Sequence, residues 1–349
     1  MPSVSVITPC FNYAHYLGAT LECLCGQLFG DWECVLVDDG STDASPEVAQ
    51  QYASRDGRIR YLRKENGGLP AARNTGMGAA RGRYIFFLDA DDLIHRDALS
   101  WLMAAMANRS RRVCLMRARN FLHDPARDGF AFEARPRATE FLPNILADNL
   151  GPPHCYLAER RAVLTAGGFD ARLRACEDWD LWIRMAVQGA DLVNVDRVGA
   201  YYRRHATSMS AGKFRMWEAA LRVRWKAFHL FTPDNPRLDL SPEMKRRCRR
   251  TIATHLKRDW VRLAAKLAYH RHVHLAEQFL ELAKGGVTLP DARLFPGESW
   301  ALYGLHRVTR PCPAPTAPEL DQLGRLADEM HDYFNPGVER SHWSRDKAA

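Results

Sequence analysis

The stretch Phe86-Phe87-Leu88-Asp89-Ala90-Asp91-Asp92 constrains the fold more than any other in the chain. Two aromatic residues and a leucine read as the end of a buried strand, and three carboxylates follow at once. Burying an unpaired carboxylate is costly. The strand must therefore emerge into a cleft where the acids meet a partner. A hard divalent cation, which takes oxygen ligands and often shares them with substrate phosphates, is the obvious one.

The rest of the first third fits such a cleft. Ser3–Thr8 is a β-branched run, and the leucines at 17, 21, 24 and 28 follow at helical spacing. Cys34–Val37, Ile59–Leu62 and Tyr84–Leu88 read as further strands, with helices expected over 45–54 and 71–80. Strand–helix alternation with continuously apolar strands predicts an α/β, mostly parallel sheet covered on both faces, in the Rossmann-like manner. Ligands of such sheets sit beyond the carboxyl ends of the strands. The polar clusters at 8–13, 38–43 and 89–92 all fall at that edge. Further on, the sequence predicts a helix over 95–107, a strand over 113–118, an irregular stretch over 120–140, a turn at Gly167-Gly168-Phe169-Asp170 and a helix from Glu177 to Val187.

The character changes near residue 213. Residues 214–230 and 243–284 are helical patterns, and Ile252, Leu256, Trp260, Leu263 and Leu267 make one apolar stripe. Residues 203–284 hold 19 Lys and Arg against 7 Asp and Glu, in a chain of net charge +8, so the remainder is net acidic. The expected domains are a catalytic domain over 1–210, a basic α-helical extension over 211–310, and a proline-rich linker, short helix and polar tail over 311–349. The linker itself is Pro311 to Pro318.

With 46% apolar residues the chain can fill a core, which excludes global disorder. Nine scattered cysteines without a Cys-x-x-Cys predict thiols in a reducing compartment. No basic leader precedes the uncharged residues 1–21, and no run approaches a bilayer span. The expected location is the cytoplasm, with peripheral attachment at the inner face of the membrane.

Val4-Ser5-Val6-Ile7-Thr8-Pro9-Cys10-Phe11-Asn12, Val37-Asp38-Asp39-Gly40-Ser41-Thr42-Asp43, Asn66-Gly67-Gly68-Leu69-Pro70-Ala71-Ala72-Arg73-Asn74, Leu88-Asp89-Ala90-Asp91-Asp92 and Glu177-Asp178-Trp179-Asp180 occur in this order. Together, over about residues 2–210, they resemble the signature set of family 2 glycosyltransferases, the inverting enzymes of GT-A fold. The resemblance implies a nucleotide-sugar donor, a UDP-sugar first, and Mn²⁺ or Mg²⁺ as cofactor. It assigns Pro9, Phe11 and Asn12 to the nucleotide pocket, with Asp39 on the base and Asp38 as a second contact. A carboxylate there suits uracil or thymine, which carry an N–H at N3. The resemblance puts Asn66 and Arg73 along the donor cleft; an arginine suits diphosphate because its guanidinium stays charged and donates in a fork. It makes Asp91 the metal ligand and Asp89 a second contact to ribose or metal. Asp178 matches the general base and Glu177 an acceptor-orienting acid. Arg203 and His205 correspond to the segment that closes over the leaving diphosphate and completes its metal shell.

Each block also has a plainer reading. Asp38, Asp43 and Asp92 suit turn or helix caps, and acids at 177–178 suit a helix start. The function expected is metal-dependent inverting transfer of a sugar to a hydroxyl of a glycan, polyol phosphate or lipid-linked acceptor in cell-surface polysaccharide synthesis. The alternative is a non-catalytic nucleotide-sugar binder or assembly subunit, which should have lost Asp178 or one of Asp89 and Asp91. A nucleotidyltransferase would need a Gly-rich basic loop after strand one, where Pro-Cys-Phe-Asn-Tyr stands. A nucleic-acid partner would leave the acidic cleft unexplained. The basic stretch 213–284 suits an anionic membrane surface, or an oligomerisation or acceptor-binding unit. The sequence sets no oligomeric state.

Overall fold

The computed structural model describes residues 1–106, 112–127, 140–232, 235–236, 238–285 and 314–334. The chain divides into two compact units, Met1–Ser208 and Met209–Ala349.

The first unit is built on an eight-stranded sheet. Its strands are β1 (Val4–Cys10), β2 (Trp32–Asp38), β3 (Ile59–Arg63), β4 (Tyr84–Phe87), β5 (Leu93–Ile94), β6 (Arg112–Phe121), β7 (Tyr156–Glu159) and β8 (Asp191–Arg203). They lie in the order β3-β2-β1-β4-β7-β6-β8-β5. The helices of this unit are α1 (Ala14–Cys25), α2 (Ser45–Arg55), α3 (Leu69–Ala79), α4 (Ala98–Met106), α5 (Phe141–Ala147), α6 (Arg160–Thr165) and α7 (Glu177–Val187).

The sheet is mostly parallel, as expected, but mixed: β7 and β5 run against the other six strands. Pairs β1–β2, β1–β4, β2–β3 and β6–β8 are parallel, whereas β4–β7, β6–β7 and β5–β8 are antiparallel. The sequence missed this because β7 is four residues long and β8 carries little apolar signal, with an exposed, charged first half. The arrangement sets the site. Since β7 runs against both β4 and β6, strands β6 and β8 point the same way as β4. The carboxyl ends of β1, β2, β4 and β8 therefore share one rim, and the segment entering β7 arrives there from the opposite direction.

The centre of the sheet is dry. Every residue of β1, β2 and β4 is buried. Helix α3 lies close against this layer, and a Cβ at Gly76 would collide with the Ile7 side chain. Trp182 of α7 stacks on Tyr156 of β7, centroids 4.2 Å apart, and meets Phe87 of β4. Such pairs add about 1 kcal/mol beyond the area they bury, and they fix the start of α7 near the rim.

The second unit contains α8 (Lys213–Leu230), α9 (Pro242–Tyr269), α10 (Val273–Gly285) and α11 (Ala317–Phe334). Ser241 caps α9 by accepting the Met244 N–H at 3.1 Å. The helical pattern over 243–284 is two helices, not one. Arg271 is left-handed at φ 65°, and the His272 N–H closes onto the Leu267 carbonyl at 2.9 Å, a terminating geometry usually carried by glycine. The apolar stripe from Ile252 to Leu267 is buried. Among the described residues, no helix is long and apolar enough to cross a membrane. Much of the expected irregular stretch 120–140 (residues 128–139), residues 286–310 of the extension, the start of the proline-rich stretch (311–313) and the tail from 335 lie outside the described residues.

Candidate active site

Three groups of side chains meet the rim. The first surrounds the end of β2. Asp38 Oδ1 accepts the Ser41 N–H at 2.8 Å, and its Oδ2 accepts the Tyr61 hydroxyl at 2.8 Å, so this buried carboxylate holds the turn. Asp39 Oδ1 accepts Lys64 Nζ at 2.6 Å and the Gly67 N–H at 3.0 Å, while Oδ2 accepts the Gly68 N–H at 2.7 Å. A carboxylate offers about four acceptor sites, so Asp39 keeps capacity for one more donor. Loop 64–68 lies close enough that a Cβ at Gly40 (φ +80°) would sit 3.0 Å from the Asn66 amide nitrogen. Asn12 joins this corner to β1: its Oδ1 accepts the Thr42 N–H at 2.8 Å. Asp43 accepts the Ala14 and Ser45 N–H groups, each at 3.0 Å, at the starts of α1 and α2. Pro9 is buried in β1, whereas Phe11 is 44% exposed and presents its ring to solvent. Asn66 is exposed.

The second group is the acidic turn after β4. The chain folds back here, with the Asp92 N–H donating to the Asp89 carbonyl at 3.2 Å. The three carboxylates therefore diverge, and Asp89, expected as a second contact to ribose or metal, meets a different partner from Asp91. Asp89 accepts Arg73 Nη2 on both oxygens, at 2.7 and 2.9 Å. Asp91 Oδ2 lies 2.9 Å from His205 Nε2, and His205 Nδ1 lies 2.9 Å from the Thr207 hydroxyl. Asp92 turns inward. Its Oδ1 accepts the Arg203 N–H at 2.8 Å, and its Oδ2 faces His154 Nδ1 at 3.1 Å. Arg203 Nε donates to the Asp91 carbonyl at 2.7 Å, with its guanidinium between the Tyr16 and Phe121 rings. The ring of Tyr16 also lies 4.9 Å from that of His205. Burial and the charges of Asp91, Asp89 and Asp92 push the Tyr13 hydroxyl pKa up, which places this ring beside the turn.

The third group starts α7. Cys176, left-handed at φ 56°, turns the chain so that Glu177 and Asp178 occupy the first helical turn, where the N-terminal dipole favours acids. Glu177 Oε1 accepts Arg73 Nη1 at 2.5 Å. Arg73 is 1% exposed and bridges Glu177 and Asp89 instead of lining an open cleft. Glu177 is buried as well, so its contact is with Arg73. Asp178 Oδ2 accepts Asn149 Nδ2 at 3.1 Å, and its Oδ1 accepts the Trp179 N–H at 2.8 Å. Burial, then the Glu177 charge, raises the Asp178 carboxyl to about 6, with Arg73 and Asn149 acting against the rise. Asn74 ties this end of the chain to α3, since its side-chain amide exchanges two hydrogen bonds with the Phe169 backbone, at 2.8 and 2.9 Å.

Asp91 and His205 can hold a cation. Neighbouring ligands of an octahedral Mg²⁺ or Mn²⁺ at about 2.1 Å stand about 3.0 Å apart, close to the 2.9 Å between Asp91 Oδ2 and His205 Nε2. Both side chains keep partial access to solvent, at 16% and 10%. Among the described residues, no group of three or more His, Cys, Asp or Glu could hold a metal by themselves. That suits an ion whose remaining positions are filled by water and phosphate oxygens.

Sequence reasoning did not find Lys64, Asn149 or His154, and it read Asp92 as a helix cap. Burial raises the Asp92 carboxyl and lowers the His154 imidazole to about 4, each shifted toward its uncharged form. The one sequence signal for His154 is the stiff Gly151-Pro152-Pro153 run before it; Asn149 has none.

A family model described as "Glycosyl transferase family 2" matches residues 5–162. A putative teichuronic acid biosynthesis glycosyltransferase from Bacillus subtilis is 42% identical over 111 residues, 31% of this chain and 44% of that protein. The chain spans less than half the length of such curated relatives. The whole chain is similar in fold to S. aureus TarS 1-349 crystallised with UDP-GlcNAc (TM-score 0.64, 19% identity, 97% of this chain and 98% of that one). It is similar also to a mannosyltransferase from Pyrobaculum calidifontis in complex with GDP-Man and Mn²⁺ (TM-score 0.60, 19% identity, 96% and 88%). The fold is therefore of the GT-A type, with C-terminal helices.

Proposed function

We propose that the protein is a metal-dependent inverting glycosyltransferase that moves a sugar from a nucleoside-diphosphate donor, a UDP-sugar first, to an acceptor hydroxyl. The observation that carries this is the pairing of a raised, hydrogen-bonded carboxylate at Asp178 with an acid–imidazole pair at Asp91 and His205, the two linked through Glu177, Arg73 and Asp89. Asp178 takes the proton of the acceptor hydroxyl as its oxygen bonds to the anomeric carbon and the bond to the diphosphate breaks, inverting that carbon. A base close to the operating pH combines availability with proton affinity. Asp91 and His205 would hold Mn²⁺ or Mg²⁺, which would supply charge stabilisation for the departing diphosphate. Arg203 steadies the turn from behind. Phe11 offers a flat apolar surface to the base, the buried Pro9 stands near the end of β1, and Asp39 accepts one imide N–H. Asn12, Asp38 and Asn66 shape the loops around it. Arg73 and Glu177 fix the geometry between donor and base.

The relative involved in teichuronic acid biosynthesis favours an acceptor in cell-surface polysaccharide synthesis, a glycan, polyol phosphate or lipid-linked chain. Exposed Arg246, Arg247 and Arg250 on α9 suit an anionic membrane surface at the cytoplasmic side. The test is nucleoside diphosphate release from UDP-, dTDP- and GDP-sugars with Mn²⁺. Turnover of a UDP-sugar that Asp178→Asn abolishes is the expected result. Turnover of GDP-sugars alone overturns the donor assignment, and release unchanged in Asp178→Asn overturns the mechanism.

A further inference from the structure

Residues 149–154 read Asn-Leu-Gly-Pro-Pro-His and lead into β7, the strand that runs against its neighbours. Each end of this segment meets a different part of the site, one through a hydrogen bond and the other through close packing. Asn149 holds the Asp178 carboxylate at 3.1 Å. His154, fully buried, packs 3.1 Å from the equally buried Asp92 with no hydrogen bond between them, and the other Asp92 oxygen accepts the Arg203 N–H, two residues before His205. The intervening backbone is stiff. Two consecutive prolines fix φ, with Pro152 at −66°, and each restricts the residue before it. The Thr20 hydroxyl, 2.9 Å from both the Ala90 and Asp92 carbonyl oxygens, supports the turn from its other side.

We propose that Asn149–His154 is a rigid strap that sets the separation between the carboxylate at Asp178 and the Asp91–His205 pair, with Asn149 and His154 as positioning residues that touch neither substrate nor cation. Its chemical meaning rests on the transfer reaction proposed above, but its geometry does not. In a loose loop the two ends would be independent. In a strap, releasing one end is felt at the other.

Hydrogen–deuterium exchange on the full chain tests this without any ligand. His154→Ala should raise exchange about tenfold in peptides covering 201–205, and also in those covering 177–180 at the other end, while β3 at the far edge is unchanged. His154→Asn, whose amide can donate or accept near the position of Nδ1, should restore most of the protection. Replacing both Pro152 and Pro153 by glycine should leave 201–205 protected in the wild-type manner but abolish transmission from a second change, Asn149→Ala, to that segment. An increase confined to 153–156, an increase spread evenly over the sheet, or no rescue by asparagine would each overturn the strap. A parallel titration with Mn²⁺ and UDP separates the two claims. Wild-type protein that shows the exchange pattern yet binds neither keeps the strap and loses the functional reading. Protein that binds both, with exchange in His154→Ala unchanged at 177–180, does the reverse.

Discussion

Strands β2 and β4 both end in aspartates at the same rim, yet the two ends use them differently. At β2 the protein supplies nearly all the partners. Asp38 is spent on Ser41 and Tyr61, and Asp39 on Lys64, Gly67 and Gly68. At β4 the partners are mostly other titratable side chains, Arg73, His205 and His154, brought in from distant segments, and Asp91 stays partly open to solvent. The difference separates a corner closed by nearby backbone and side-chain donors from a turn held by side chains of distant segments, the one proposed above to bind an ion. It also shows why an aspartate's neighbours, and not its place after a strand, decide its role.

The largest expected effect sharpens the contrast with a third site. Asp178→Asn should lower transfer by about 10²–10⁴-fold, the range for loss of a general base. The same change should stabilise the fold. A buried carboxyl raised from 3.8 to about 6 is disfavoured in the folded state once ionised. Stability is thus lost as pH rises from about 4 to about 6, and the full cost stands at neutral pH, up to about 3 kcal/mol. A melting temperature of Asp178→Asn below that of wild type contradicts this. The same carboxyl sets the acid side of the pH profile: kcat/KM should fall about tenfold per pH unit below about pH 6. A profile flat down to pH 4.5 removes Asp178 as the base.

Next in size, the two strand ends should separate by substitution. His205→Ala should weaken Mn²⁺-dependent UDP binding about tenfold or more and leave metal-free binding unchanged, because it removes one of the two proposed ligands. Asp38→Asn should behave oppositely. It leaves the metal dependence intact and costs about 1–2 kcal/mol of stability through the turn it supports. Calorimetry with and without Mn²⁺ reads both. Equal metal dependence in the two variants would erase the distinction. The smallest expected effect is on the basic helices. Charge reversal at Arg246 and Arg247 should reduce co-sedimentation with anionic vesicles, at about 1 kcal/mol per residue, and equal binding to neutral vesicles contradicts an electrostatic attachment.

The strands and helices up to Phe87 were legible because apolar runs, β-branched residues and glycine turns repeat there with clear periods. The likeness to family 2 glycosyltransferases was legible from the five motif blocks in their order, four of which lie within or overlap the residues that the family model matches. What escaped was long-range and antiparallel: β7, whose four residues carry no period, and β8, whose exposed first half masks it. Arg73 suited a phosphate clamp by residue type. Only tertiary packing shows it enclosed between Asp89 and Glu177, 16 and 104 positions away. Asn149 and His154 fail to stand out for the same reason, since their meaning lies in partners that local sequence does not contain.

The central claim is that Asp91 and His205 recruit a cation that binds a nucleoside diphosphate. Thermal unfolding with UDP, with and without Mn²⁺, on wild type and Asp91→Ala tests it most directly. At a hundredfold excess over Kd, UDP with Mn²⁺ should stabilise the wild type by about 2.7 kcal/mol, or roughly 5 °C. Chelator or Asp91→Ala should remove most of that gain. Equal stabilisation by UDP without metal, or in Asp91→Ala, would contradict the account.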